Sequence, residues 1–176
     1  MELNPFILEI DIISVAVLLI VRFGISEYAI QDRAISAFRR LVDFSILFCI
    51  LNSVSGFIPT ANIPVIKIIN CLKLIVCICM GCSWFLAVFF TAYASTYNLR
   101  KWFVPIVLPS AIVSVIAIVD TFSNISVEPL EMKPLVWVLL NVLTILYIVS
   151  ASLICLNKAR KSTNRYFRQK LYLIFS

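Results

Sequence analysis

Cysteines are the residues of this sequence with the most evident capacity for chemistry. Six cysteines occur in 176 residues, and Cys77, Cys79 and Cys82 follow Cys71 closely. Closely spaced thiolates can bind zinc or act as redox pairs. However, the i, i+2 and i+5 positions of one helix point in different directions, so these thiols could share a tetrahedral centre only if the helix unwound. We therefore expect the cysteines to pack as small apolar residues, without a metal.

The chain also lacks other residues on which catalytic sites commonly depend. It contains no histidine, and its only glycines are Gly24, Gly56 and Gly81. Imidazole catalysis, HExxH zinc sites and glycine-rich phosphate loops are therefore excluded within these residues. We expect no catalytic residue, no cofactor and a protein that is not an enzyme.

Charged and polar side chains near the start of two apolar segments form the first candidate site, a polar cluster at the outer face. Glu9 and Asp11 lie in the first segment, whereas Lys67, Asn70 and Lys73 recur every three residues in the third. In one interpretation the lysines extend along the helix to the outer membrane surface. In the other they form a cationic patch that pairs with the two acids or with an anionic ligand.

Uncharged polar residues within the apolar segments form a second candidate set. Such side chains commonly make hydrogen bonds between membrane helices, worth about 1 kcal/mol each. The residues that we expect to make interhelical contacts are Asn52, Ser53, Asn141, Thr144 and Tyr147.

The composition defines the elements that must position these residues. Hydrophobic residues make up 62% of the chain and charged residues 14%, and the mean hydropathy is +1.03. Long runs without charge are typical of helices that cross about 30 Å of hydrocarbon. We predict an all-α fold, a polytopic transmembrane helix bundle over residues 1–157, with five spans at about 6–23, 41–58, 66–96, 103–121 and 134–156.

The basic residues predict the orientation of the bundle. Twelve of the fifteen lie between spans one and two, between spans three and four, or after span five. By the positive-inside rule this side is cytoplasmic, so the N-terminus is outside. The same partition predicts attraction to anionic lipid head groups at the cytoplasmic face, and no binding of nucleic acid.

Two segments outside the five spans have alternative interpretations. The connection from Arg22 to Arg40 forms either a short amphipathic surface helix or an early start of the second helix. The segment 158–176 is a basic cytoplasmic stretch that turns apolar at Leu171, which is typical of the start of a truncated sixth span or of an interfacial helix.

The position of the acids bears on the class of membrane protein. Ion-coupled carriers, pumps and voltage sensors place ionisable groups inside the hydrocarbon. Glu9, Asp11, Asp43 and Asp120 all fall at the ends of predicted spans. This pattern disfavours a self-contained ion-coupled transporter.

The order of elements resembles the multi-span N-terminal membrane region of bacterial GGDEF-type diguanylate cyclases. The positions that carry this resemblance are the basic entry to span two, the aromatic residues of span three and a proline early in span four, namely Arg39, Arg40, Trp84, Tyr93 and Pro109. The resemblance implies a sensory or anchoring bundle ahead of a cytoplasmic cyclase. No GGDEF-like segment occurs in this chain, so no catalytic residue is implied.

Together these observations favour a sensor or anchor module in a bacterial inner membrane. Such a module would be non-catalytic and would relay to a cytoplasmic signalling domain, with a homo-oligomer as a further candidate partnership. The alternative is a subunit of a small channel, carrier or exporter. That alternative rests on the polar faces of spans two and five, which could meet to line a pathway.

Overall fold

A computed structural model describes residues 5–26, 33–58, 62–93, 99–123 and 134–162 of the chain. These residues form five helices, α1 (Pro5–Ser26), α2 (Arg33–Phe57), α3 (Ile63–Tyr93), α4 (Leu99–Ser123) and α5 (Pro134–Lys161). No strand occurs among them. The predicted all-α fold is thus confirmed for the described part of the chain.

The long central helix α3 organises the packing. It contacts α2, α4 and α5, while α1 packs against α2. One buried cluster combines residues of α3 and α5 with Ala37 of α2, and a second joins α3, α4 and α5 around Ile78 and Leu140. Because α3 carries apolar residues on every side, it can be buried by neighbours all round.

Three of the five helices are long and apolar enough to cross a membrane by length and composition. These are α3 and the segments 104–123 of α4 and 138–161 of α5. The prediction of five spans is therefore supported for three helices only. The difference has a simple cause, because α1 carries Glu9, Asp11 and Arg22 within its 22 residues, and the N-terminal half of α2 is rich in charge.

The helix boundaries differ from the predicted spans where charged residues continue a helix. Helix α2 begins at Arg33 rather than near residue 41, so the early start of the second helix is confirmed for 33–40. Helix α5 runs through Lys161 instead of ending at 156. Arginine and lysine are good helix formers, and a hydropathy pattern detects only the hydrocarbon-crossing part of a helix. The predicted further span after Leu171 lies outside the described residues.

Candidate functional site

The most developed polar site joins α1, α2 and α3. Asp11 of α1 is only 9% exposed, and its Oδ2 accepts hydrogen bonds from Asn52 Nδ2 at 2.8 Å and from Ser53 Oγ at 3.2 Å. Both donors belong to α2, so the carboxylate ties the first two helices together. Hydrogen bonds to a charged group contribute more than neutral ones, about 1.5–3 kcal/mol.

Helix α3 adds a cation to this site. Lys73 Nζ donates to Ser55 Oγ at 3.2 Å, and Ser55 Oγ in turn donates to the Asn52 carbonyl oxygen at 2.7 Å. The ammonium of Lys73 also interacts electrostatically with the Asp11 carboxylate. We call these five residues the Asp11 cluster: Asp11, Asn52, Ser53, Ser55 and Lys73.

The other members of the predicted outer-face cluster take different positions. Glu9 is exposed, although it lies only two residues from Asp11. Lys67 is buried, at 7% exposure, and Asn70 is half-buried. The structure therefore brings Asp11 and Lys73 together with residues of α2, while Glu9 faces away from them.

An ion pair also joins α1 and α2, between the last turns of α1 and the N-terminal half of α2. Arg22 Nε donates to Asp43 Oδ1 at 2.5 Å, with both side chains partly exposed. In the sequence, Arg22 belongs to the basic connection between spans one and two and Asp43 lies at the end of a predicted span, and no contact between them was predicted. Their opposite charges and their positions in an antiparallel pair of helices were the signal that could have identified the contact.

The depth of these two contacts follows from helix geometry. Asp11 and Arg22 are eleven residues apart, which corresponds to about 16 Å along the α1 axis. The hydrocarbon core is about 30 Å thick. If α1 crosses the membrane, at least one of the two contacts must therefore lie within the hydrocarbon. The sequence had predicted no ionisable group at that depth.

A third polar contact joins α4 and α5. Tyr147 Oη donates to the carbonyl oxygen of Ile106 at 2.5 Å, and Ser110 Oγ donates to the carbonyl oxygen of Val107 in its own helix at 2.7 Å. This part of α4 contains Pro105 and Pro109, which remove backbone donors from the helix. The Ile106 carbonyl oxygen lies in the turn between these two prolines, so the Tyr147 hydroxyl anchors α5 to that turn.

Of the other predicted interhelical residues, Thr144 makes a different contact. Its hydroxyl donates to Leu140 O of its own helix at 3.0 Å, while its methyl group faces Gly81 of α3. A Cβ on Gly81 would lie 3.5 Å from Thr144 Cγ2 and 3.7 Å from Tyr147 Cδ2. Close approach of α3 and α5 therefore depends on a small residue at 81. Asn141 is half-buried on α5.

A row of aromatic side chains runs from Tyr147 to the cationic end of α5. Ring centroids lie 5.8 Å apart for Tyr147 and Phe85, 6.1 Å for Phe85 and Phe89, and 5.1 Å for Phe89 and Tyr93. The row ends where Lys158 Nζ lies 4.5 Å from the Tyr93 ring centroid, which is cation–π geometry. We call these four rings the aromatic row.

The cysteines have the structural surroundings of packing residues. All six are free thiols, and Cys71, Cys82 and Cys155 are buried in the two apolar clusters. Within the described ranges no group of three His, Cys, Asp or Glu side chains is placed to hold a metal ion.

The positions that carry the family resemblance are spread over the molecule. Arg39 is half-buried and Arg40 is exposed near the start of α2, whereas Trp84 and Tyr93 pack against the larger apolar cluster. Pro109 lies inside α4, one residue before Ser110. The structure does not gather these five residues into one site.

Replacing Tyr147 with phenylalanine tests the α4–α5 contact. We expect Tyr147→Phe to lower the free energy of unfolding by about 1 kcal/mol, because the Ile106 carbonyl oxygen loses its donor from α5. Thr144→Val is the matched control, since the Thr144 hydroxyl bonds only within its own helix. Unfolding in mixed micelles by titration with a denaturing detergent measures both, and equal losses would contradict an interhelical role for the Tyr147 hydroxyl.

Comparisons with known proteins add no relative. No protein-family model matches the chain, and no curated protein or solved structure matches it. The resemblance to the membrane region of diguanylate cyclases therefore stays a prediction from the sequence.

Proposed function

We propose that this chain is a non-catalytic integral membrane module of a bacterial signalling protein, a sensor or anchor in the inner membrane. In this proposal all five helices cross the bilayer, the N-terminus is outside, and the basic end of α5 faces a cytoplasmic output domain. Changes at the outer half of the bundle would alter how that basic end is presented.

The observation that carries this proposal is the aromatic row. It connects the hydrogen bond between Tyr147 and α4 with Lys158, through side chains that are in contact along α3. Ala159 and Cys155 are buried against the same cluster, at 1% and 3% exposure. Because interiors of this kind are close-packed, a shift of α3 or α5 in the bilayer must also move the basic turns of α5.

The crossing of α1 and α2 is supported by their paired polar contacts. Asp11 accepts hydrogen bonds from Asn52 and Ser53 of α2, and Arg22 of α1 pairs with Asp43 of α2. Groups paired in this way can be placed in hydrocarbon at lower cost than isolated charges. Apart from Glu9, the exposed side chains that the structure describes on α1 are apolar, and they include Ile13, Val17 and Ile20.

A topology reporter fused after Ser26 tests whether α1 crosses. With five spans we expect this fusion to report the cytoplasm, since α1 would begin outside and end inside. With only α3, α4 and α5 crossing, the same fusion would report the outside. Fusions after Asn62 and Asn157 serve as controls, because both arrangements place them outside and inside, respectively.

A distance measurement tests the relay, by which we mean that a change in the outer half of the bundle alters the position of the basic end of α5. Nitroxide labels on p-acetylphenylalanine at Val104 and Lys161, both exposed, report the spacing of α4 and α5 at the cytoplasmic side in nanodiscs. We expect Asp11→Leu to change this distance distribution and Glu9→Gln to leave it unchanged. Phe89→Leu, which interrupts the aromatic row, should abolish the response to Asp11→Leu. An unchanged distribution in Asp11→Leu would contradict the relay.

The Asp11 cluster favours a second candidate function, a subunit of a small carrier or channel. A buried carboxylate beside a lysine, an amide and two hydroxyls, placed between helices in the membrane, is the kind of group that ion pathways contain. Such a subunit would require a partner or a second copy to complete its pathway.

Flux through proteoliposomes distinguishes the two functions. A carrier or channel predicts that the purified chain dissipates an imposed proton or potassium gradient, and that Asp11→Asn abolishes the flux while Glu9→Gln preserves it. A sensor or anchor predicts no flux above protein-free vesicles for any of the three proteins.

A further inference from the structure

Helix α4 contains two prolines one turn apart. Pro105 and Pro109 both lie inside the helix, at i and i+4 positions. A proline inside a helix donates no backbone hydrogen bond, and its ring crowds the preceding turn. The carbonyl oxygen of Pro105 would accept its helical bond from residue 109, so it has no donor in the backbone of α4. The hydrogen-bond ladder is therefore interrupted twice on one face, which is a known cause of helix bending.

A serine side chain adds to this effect. Ser110 Oγ donates to the carbonyl oxygen of Val107 in the preceding turn at 2.7 Å. A serine that bonds back to its own helix in this way slightly destabilises the helix and often bends it. Residues 105–110, which we call the proline segment, thus combine three features that weaken the straight form of α4.

The packing of α4 differs on the two sides of the proline segment. Toward the C-terminus, Ala117 is fully buried with Ile78 of α3 and Leu140 of α5, and Thr121 is also buried. Toward the N-terminus, the adjoining side chain of Val104 is 60% exposed. The part of α4 that follows the proline segment is therefore fixed between two neighbouring helices. We call residues 99–104, which precede it, the arm of α4.

Tyr147 of α5 contacts the proline segment directly. Its Oη donates to the carbonyl oxygen of Ile106 at 2.5 Å, and its ring lies against Phe85 of α3. Tyr147 is itself only 7% exposed, so the position of its hydroxyl is set by the packing of α3 and α5. The bond is made at the place where α4 can bend, and it therefore favours one orientation of the arm.

We propose that the proline segment is a hinge and that the Tyr147 hydroxyl is its latch. When the bond to Ile106 is broken, the arm turns away from α5 while the C-terminal part of α4 stays packed. Both helices of this device are among those that are long and apolar enough to cross a membrane. The hinge gives the bundle a moving part of its own, and it requires neither the sensor role nor the carrier role.

Distances between pairs of nitroxide labels in nanodiscs test the hinge in the full chain. The pair at Val104 and Lys161 includes the arm, whereas the pair at Val119 and Val142 lies on the packed side, and all four residues are exposed. We expect Tyr147→Phe to raise the population of longer 104–161 distances about fivefold, which is the factor that one interhelical hydrogen bond contributes. The 119–142 distances should not change.

Thr144→Val is the matched control for this measurement. It also removes a hydroxyl from α5, but that hydroxyl bonds to the Leu140 carbonyl oxygen of its own helix. The 104–161 distances should therefore stay as in the unmodified chain. A Tyr147→Phe distribution equal to that of Thr144→Val would overturn the latch. Equal widening of both label pairs in Tyr147→Phe would overturn the hinge in favour of general loosening of the bundle.

Restoring the backbone donors tests the role of the prolines. Pro105→Ala/Pro109→Ala supplies both missing N–H groups, so in this background Tyr147→Phe should no longer lengthen the 104–161 distances. A response that persists in the alanine background would overturn the proline hinge. Circular dichroism identifies a variant that fails to fold, in which case Pro109→Ala alone provides the background and the same two outcomes apply.

Discussion

Replacing Asp11 with leucine is expected to lower the free energy of unfolding of the bundle by about 2–3 kcal/mol. The substitution removes the acceptor of two hydrogen bonds from α2, and it removes the carboxylate that interacts with the half-buried Lys73 ammonium. Unfolding of the purified chain in mixed micelles by a denaturing detergent measures the loss.

Three further variants separate the contributions to this effect. Asp11→Asn keeps an oxygen that can accept from Asn52 and Ser53 but removes the charge, so we expect about half the loss. Asp11→Leu/Lys73→Leu should recover part of the stability, because the uncompensated cation is removed together with its partner. Glu9→Gln alters an exposed carboxylate and should change stability by less than about 0.5 kcal/mol. A loss in Asp11→Leu no larger than that of Glu9→Gln would exclude a stabilising role for the Asp11 cluster.

The helical elements could be predicted because lipid imposes a strong constraint on sequence. Runs of apolar residues without charge are the signature of membrane-crossing helices, and each of the five predicted spans corresponds to a helix. The ends of α2 and α5 were less predictable. Their charged turns are helical because the regular backbone continues past the apolar part of each helix. A hydropathy pattern does not detect such extensions.

It was harder to predict which residues of the candidate site contact one another than to predict which residues belong to it. Asp11, Asn52, Ser53 and Lys73 were all identified as candidate residues, but the sequence did not reveal that the first three meet. In an antiparallel helix pair, facing residues have a nearly constant sum of residue numbers, and both Asp11 with Asn52 and Arg22 with Asp43 obey this relation. The rotation of each helix about its axis, which decides the pairs that actually meet, depends on packing with α3.

That packing also changes where the acidic residues lie relative to the membrane and how their function is interpreted. On sequence alone, Asp11 belongs to the aqueous end of a span, and the absence of charge at mid-membrane depth disfavours ion coupling. In the folded chain Asp11 is buried between helices, and about 16 Å of α1 separates it from Arg22. The sensor and carrier proposals therefore depend on the same residues, and the flux of Asp11→Asn is the measurement on which they differ most.

Substitutions at Gly81 are expected to have effects on stability whose sign depends on the size of the new side chain. Gly81→Ala should be neutral or stabilising by up to about 1 kcal/mol, because alanine is the better helix former and its Cβ would meet Thr144 at an ordinary 3.5 Å. Gly81→Leu should lower the free energy of unfolding by about 3 kcal/mol, since the larger side chain must displace Thr144 or Tyr147 in a close-packed contact.

Gly56 provides the matched control for this pair. It is also helical, but a Cβ there would have no neighbour within 4 Å, so Gly56→Leu should be tolerated. The three variants are compared by detergent-induced unfolding and by the distance between labels at Val104 and Lys161. Only Gly81→Leu should change that distance, because it alone separates α3 from α5 and thereby interrupts the contact between Tyr147 and Phe85. A tolerated Gly81→Leu would contradict both the close approach of the two helices and the relay that depends on it.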